Sequence, residues 1–573
     1  SVLNDALRGR SLGFRIVSIK SIVIYEKELP TKVENTSAKT TALSGTIVDE
    51  NGDPIMGASV YNKRTKSGAI SDINGRFALE GTSGDEISIT YLGYTTLHIK
   101  GTGNMSLKME PDAKVLEDVV VVGYGTQKKV NLSGSVAQVD SKTLTNRPIS
   151  SVSAGLQGLM PGITVNNTSG APGYDNGSIH IRGIGTLNNS SPYILVDGVE
   201  SSLNAIDPND IESISVLKDA SSAAIYGSKA SNGVILVTTK RGNSGKAKVS
   251  YSGYFGVQNA TKLVDRMSSA EYADYYNKVL TAAGKPARFT DEEIQKFKDG
   301  SDPYNYPNTD WYDLAFKTGI EHRHNVNVTG GTDRTHYMAS FGYLHQTGIL
   351  PHARREQFNG RTNLDMAISN AITGHMNLSF IRNNYSTPTN SYVGGGEDQI
   401  IRQLNVMSPW IPNKLENGQY GTISDGNPMA WLDSGETLDR ENRNFIGQIG
   451  LDYKILDGLV LKFQGSYAES HQHYKEFIQY IYYNDSKQSD PNHLDESESN
   501  SERTNLDLYL NYDKTFGLAH HFKAMGGWHT EAYNYRYLSA YRKSFPTNDL
   551  QDMNAGDEST MKNGGNTRKL RMV

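Results

Sequence analysis

From Gly245 onward the chain is written in segments of about ten residues whose apolar and polar side chains alternate with a period of two. In KVSYSGYFGV, Val249, Tyr251, Phe255 and Val257 fall on one face of an extended strand, while Ser250, Ser252 and Tyr254 fall on the other. In RTNLDLYLNYD, Leu506, Leu508, Leu510 and Tyr512 oppose Asn505, Asp507, Tyr509 and Asn511. About nine such strands can be placed, beginning near 247, 322, 335, 357, 373, 444, 458, 502 and 520. Short turns (GTDR near 331, SNAI near 369, Leu456-Asp457-Gly458, KTFGLA) alternate with long polar stretches at 258–320, 384–443 and 471–501. A transmembrane antiparallel β-barrel with one lipid-facing side requires that bias, although alternating strands also build soluble sandwiches.

The pattern differs upstream. Between 130 and 242 the apolar runs are short and continuous, as at Tyr193 to Val196 and Val234 to Val237, and read as buried strands; the small-residue stretch DASSAAIYGSKA reads as helical before Gly233. From Leu43 to Met109, short β runs are punctuated by Asn51-Gly52, Asp53-Pro54 and Asn74-Gly75, the spacing of a small β-sandwich. LPTKVENTSAKTTA before it is a linker. The opening SVLNDALRGRSLGFRIVSIKSIVIYEKE reads as a short helix carrying Leu3 and Leu7, then strands at Phe14 to Val17 and Ile22 to Tyr25. One run stands apart: Val119 to Val122, between Pro111 and the compact segment, is strongly β-forming yet lies in linker-like sequence.

Composition narrows the classes. With 573 residues the chain holds several units. A net charge of −5 gives no reason to invoke nucleic acid, and the absence of cysteine removes disulfides, thiol catalysis and cysteine-bound zinc. Hydrophobic residues make up only 37%, while Gly 56 and Tyr 33 are high, which suits an exported β-rich protein. No apolar run reaches the roughly 20 residues of a spanning helix.

Sequence motifs for chemistry are weak. GYGTQKKV from Gly123 lacks the third glycine of a dinucleotide loop, and GNSGKAK at 242–248 has Ala247 where a phosphate loop needs Ser or Thr. His322 and His324 share one strand face beside Glu321, but spacing indicates no third metal ligand, so they read as strand residues near the membrane boundary. No Ser/His/Asp or paired-carboxylate arrangement stands out, so no enzyme, cofactor or metal is expected.

Several motifs resemble known families. GxxxDxxGxPIxGASV, SDxNGxF (Ser71, Asp72, Asn74, Gly75, Phe77) and YLGY (Tyr91 to Tyr94) resemble the carboxypeptidase regulatory-like domain. LxGxxPGxxV (Leu156, Gly158, Pro161, Gly162, Val165), IRGIG (with Arg182 and Gly183), YILVDGV (with Asp197 and Gly198) and VLKDASSAAIYGSKASNGVILVTTKRG (with Lys218, Asp219, Tyr226, Gly227, Asn232 and Gly233) resemble the plug of TonB-dependent transporters, closest to the SusC/RagA branch of Bacteroidota. DVVVVG, Asp118 to Gly123 with Val119, Val120, Val121 and Val122, resembles that family's TonB box; the structural alternative is a last strand of the preceding sandwich. The first residues resemble half of the short N-terminal domain of secretins and signalling receptors.

The resemblance implies a mainly β chain: remnant of the short N-terminal domain at 1–28, linker at 29–42, regulatory-like β-sandwich at 43–111, TonB box region at 115–126, α/β plug at 127–243 and the first part of a transmembrane barrel at 244–573. Plugged transporters have 22 strands as a class. About nine strands cannot enclose a plug without unpaired edges in lipid, so the sequence reads as a fragment lacking the true N-terminus and the C-terminal part of the barrel. The implied activity is TonB-driven import of oligosaccharides across the outer membrane, the N-terminal domains lying in the periplasm, with a SusD-type lipoprotein as lid. Peptide import, a receptor signalling to an anti-sigma factor, or a surface adhesin are the alternatives. No substrate-binding residue is identifiable.

Overall fold

The computed structural model describes residues 12–18, 21–26, 41–49, 52–91, 94–110, 119–122, 125–128, 136–392, 395–516 and 520–572. The chain divides into two compact units, Ser1–Val119 and Val120–Val573.

In the first unit, Leu12–Ser18 and Ser21–Glu26 pair as an antiparallel hairpin; the expected helix at Leu3 and Leu7 and the 29–42 linker up to residue 40 lie outside the described residues. Beyond it, two sheets form a sandwich. Thr41–Val48 is central in a three-stranded sheet with Arg76–Gly81 and Asn104–Lys108, while Gly68–Ile70, Ser59–Asn62, Glu86–Thr90 and Leu97–Lys100 make the four-stranded one. Alternation builds its core: Ile47, Val60, Phe77, Leu79, Ile87 and Ile89 point inward. The SDxNGxF motif is a structural device. Ser71 Oγ donates to the Ile55 carbonyl and accepts from Ala58 N–H, and Asp72 accepts from the N–H groups of Asn74 and Arg76. At Gly75, φ is 71° and a Cβ would lie 2.3 Å from the Ile47 carbonyl oxygen, so only glycine fits.

The second unit holds a plug and a wall. The plug is a five-stranded mixed sheet in the order Val136–Asp140, Ile211–Leu217, Val234–Thr239, Tyr193–Val196, Val199–Glu200, with a separate ribbon of Ile163–Asn166 and Ser178–Ile181. Continuous apolar runs occupy the inner strands because both faces are covered; Ile214, Val216, Ile235 and Val237 are buried. The DASSAAIYGSKA stretch is one α-helical turn, Ala220–Ala223, and a 3₁₀ segment kinked at Gly227.

The wall is a ten-stranded sheet, every neighbour antiparallel and in chain order: Gly245–Gln258, Gly319–Gly331, Thr335–Thr347, Arg354–Ala367, Ile372–Pro388, Thr437–Leu456, Leu459–Ile478, His493–Phe516, His520–Lys543 and Lys562–Met572, first to tenth. Nine were expected. The tenth, KNGGNTRKLRM, has no apolar alternation to announce it. The long stretches are also shorter than expected, because the fifth strand runs on to Pro388, the sixth begins at Thr437 and the eighth at His493. Those extensions, such as HLDESESNSERT, are polar on both faces and carry no period-two hydrophobic signal.

The alternation itself stands as read. Val249, Tyr251, Phe255 and Val257, and Leu506, Leu508 and Leu510, are exposed on the outer side, whereas Asn505, Asp507 and Tyr509 are buried inside. No described helix is long and apolar enough to cross a membrane, which says nothing about a β-barrel. The long connections fold over one end into a small helical layer, with Ser269–Ala282, Trp311–Ala315, Gly396–Val406 and Pro428–Ser434, whose core includes Trp311, Leu404, Met407 and Trp431.

Candidate functional site

Side chains on the inner face of the wall meet the plug through ion pairs. Arg323, between His322 and His324 on the second strand, places Nη1 2.8 Å from Asp207 Oδ2; both side chains are almost fully buried, and Arg323 also donates to the Ser150 carbonyl. Arg361, on the fourth strand, lies 3.4 Å from Asp197. Arg355, six residues before it on the same face, lies 3.6 Å from Asp175. Three buried wall arginines thus face three buried plug aspartates. Buried charge is costly unless paired, so the pairs help to fix where the plug sits.

Two further contacts are wetter. Lys229 of the plug lies 2.9 Å from both Glu200 and the wall's Glu531, and Arg503 of the wall reaches the same two carboxylates at 2.6 and 2.8 Å. Near the short-turn end, Arg241 contacts Asp365, whose other neighbour His375 stands between it and Asp452. Beside this last group a cavity of about 440 Å³ separates plug from wall, lined on the plug side by Asp197, Gly198 and Tyr226 and on the wall side by Asn377, Gln448 and Lys462. One plug carboxyl is out of balance. Burial and the neighbouring Asp207 push Asp210 well above the ordinary aspartate range, and its Oδ1 has no hydrogen-bond partner.

The residues of the plug motifs divide into two groups. Most build the plug. Lys218 Nζ donates to the Pro161 carbonyl at 2.6 Å and packs where a Gly162 side chain would be; Arg182 pairs with Asp219; Asn232 donates to the Asn189 and Ser191 carbonyls. Gly158, Gly183, Gly227 and Gly233 take left-handed backbone, and Tyr226 packs edge-on to Tyr193. Asp197 and Gly198 do more. Both have positive φ, 49° and 87°, and turn the chain between Tyr193–Val196 and Val199–Glu200, which presents Asp197 to Thr239 within the plug and to Arg361 across the seam.

Val119–Val122 is a strand, paired in a two-stranded ribbon with Gly125–Lys128 and belonging to neither sandwich sheet; Asp118 and Gly123 lie outside the described residues. His322 and His324 point to the outer face. His345 joins them, its ring 5.3 Å from that of His322, and no described group of histidines and carboxylates has the arrangement of a metal site. The residues missed were Arg323, Arg355, Arg361, Asp175 and Asp207. The three arginines had a signal, a cation at an inward position of an alternating strand, whereas Asp175 and Asp207 lie outside strands and had none.

The TonB-dependent Receptor Plug Domain family matches residues 128–234, and the CarboxypepD_reg-like domain family matches residues 43–138. The chain is 33% identical over 437 residues to TonB-dependent receptor P26 of Formosa agariphila, covering 73% of this chain and 42% of that protein. It is 32% identical over 473 residues to TonB-dependent receptor SusC of Bacteroides thetaiotaomicron, covering 76% and 45%. The fold is similar to that of the RagAB peptide importer in its open-open state, with a TM-score of 0.67 and 24% identity over 79% of this chain and 53% of that one. The chain spans about half the length of the curated relatives it matches.

Proposed function

The chain belongs to the SusC/RagA-type TonB-dependent receptors, a family of outer-membrane β-barrel proteins, and we propose that it serves active import of an oligomeric nutrient through a barrel whose plug is moved by TonB. The observation that carries this is the seam. Unaided movement of the plug would separate three buried ion pairs and leave their charges unpaired, and because the pairs run to side chains rather than to covalent or sheet connections, a directed pull can part them.

The handle is the Val119–Val122 strand immediately before the plug. Its pairing with Gly125–Lys128 leaves the second edge without a partner strand among the described residues, and an added strand from TonB would hydrogen-bond there. The sandwich then lies in the periplasm, and the helical layer of the long connections faces outward, where a SusD-type lipoprotein would dock. Oligosaccharides are the proposed cargo. Peptides are the second reading, favoured by the likeness of fold to a peptide importer. An anti-sigma partner for the N-terminal hairpin has no supporting observation beyond the hairpin itself.

Proline at Val120 or Val121 tests the reading, because it removes a main-chain donor from the ribbon. Energised uptake in the native host should be lost while ligand binding at the cell surface is retained. Unchanged uptake would refute the handle.

A further inference from the structure

The outer surface of the wall carries a recess of about 400 Å³ spread over the second to sixth strands. Its floor is Ala339, Gly360 and Thr362 and its sides are Phe341, Phe380 and Phe445. Register explains the shape. Phe341, Gly360, Phe380 and Phe445 form one cross-strand row, so a glycine leaves a notch among three phenylalanines. Nothing in the packing forces that glycine: a Cβ there would meet only the Ser340 carbonyl oxygen, at 3.8 Å.

The next outward-facing row toward the long connections is Phe358, Arg382 and Arg443, with the two arginines directly opposite each other. One carboxylate serves both. Arg382 Nη2 lies 3.0 Å from Glu441 Oε2, and Arg443 Nε contacts Glu441 Oε1, which leaves a net positive charge and Arg382 Nε buried without a partner. Arg354, exposed at the start of the fourth strand, adds to this sector. Acids share this face: Glu356, between Arg354 and Phe358, is 3.4 Å from His345, and Asp439 lies two residues before Glu441. Glu469, opposite Phe445, and Glu498 and Glu502 stand on the seventh and eighth strands; of these acids only Glu441 contacts Arg382 and Arg443.

We propose that this is a binding site for a phosphate-bearing, acylated lipid of the outer leaflet. An acyl chain fills the recess, and the phosphate sits between Arg382 and Arg443, whose planar guanidinium forks match phosphate oxygens. The apolar part lies at hydrocarbon depth and the cationic part at headgroup level on the long-connection side. A zwitterionic lipid brings its own ammonium beside its phosphate, which competes with the two guanidinium groups for that anion, so a headgroup with net negative charge is the preferred occupant.

The test is native mass spectrometry of the purified full-length receptor released from detergent after incubation with bisphosphorylated lipid A, phosphatidylglycerol or phosphatidylethanolamine. Retention of lipid A should exceed that of phosphatidylethanolamine at least tenfold. Gly360→Leu, which fills the notch, and the pair Arg382→Gln with Arg443→Gln should each abolish the preference while thermal unfolding is unchanged; Ala339→Leu serves as a second filling variant. Retention of phosphatidylglycerol equal to that of lipid A supports the phosphate site and assigns its occupant to phospholipid. Equal retention of phosphatidylethanolamine, or a preference that survives both kinds of variant, overturns the proposal. Uptake does not enter the readout, so the result stands apart from that of the transport reading.

Discussion

Arg323 of the wall and Asp207 of the plug form an ion pair 2.8 Å long whose side chains are 4% and 1% exposed. Removing one partner strands the other charge in a dry seam, at a cost of about 3–5 kcal/mol. Asp207→Asn or Arg323→Met alone should therefore loosen the plug, read as faster hydrogen exchange across Ile211–Leu217 and Val234–Thr239. The double variant Asp207→Leu with Arg323→Met should recover most of the protection. Single variants as protected as the wild type would show that the pair does not hold the plug.

Lys229 makes a contrasting case, because its side chain is 32% exposed where it meets Glu200 and Glu531. Solvent reaches Lys229 and Glu200, and Arg503 remains beside the buried Glu531 when Lys229 is removed, so the loss is limited to roughly 1 kcal/mol. Raising salt from about 0.1 to 1 M shortens the screening length to about 3 Å. Salt should then abolish the effect of Lys229→Met on plug exchange while leaving that of Asp207→Asn intact.

Leu508 and Asn511 lie three positions apart on the eighth strand and face opposite sides. Leu508→Arg should destabilise the folded barrel by about 2–4 kcal/mol in lipid, the cost of a cation at mid-bilayer. Asn511→Arg, on the wet side, should stay within about 1 kcal/mol. Equal effects in refolding from urea into liposomes would mean that the outer face is not lipid-facing.

Glu436 in the layer of long connections is 2% exposed, and burial, with Glu476 nearby, pushes its carboxyl up to about 8. A carboxyl raised in the fold contributes stability that is complete below its unfolded value near 4.5 and lost as pH climbs through about 8. Protection factors in 389–392, 395–436 and 479–492, from which the base-catalysed rise of intrinsic exchange has been divided out, should accordingly fall between pH 5 and pH 9. Glu436→Gln should flatten that profile; a profile as steep as the wild type's would remove Glu436 as its cause.

Much of this was legible in the residues, for physical reasons that also set the limits. Val249, Leu506 and Leu508 declare the wall because lipid on one side and a plug on the other impose a period of two. Lys562–Met572 is a strand all the same, but with polar residues on both faces it prints no pattern. On the second strand His322 and His324, residues of versatile chemistry, face outward, while Arg323 between them faces the plug and makes the seam contact. Its partner Asp207 is 116 positions away, a pairing that exists only once the plug is inside the wall.

The central claim is that the plug must move against the wall for cargo to pass. Asn209 of the plug and Ser252 of the first wall strand meet through a 3.1 Å hydrogen bond between short side chains, and the chain has no cysteine of its own. Asn209→Cys with Ser252→Cys therefore allows a single reducible bridge across the seam, assayed by energised uptake in the native host. The account predicts uptake lost with the bridge closed and restored on reduction, with surface binding unchanged throughout. Uptake that continues at the wild-type rate with the bridge closed would contradict it.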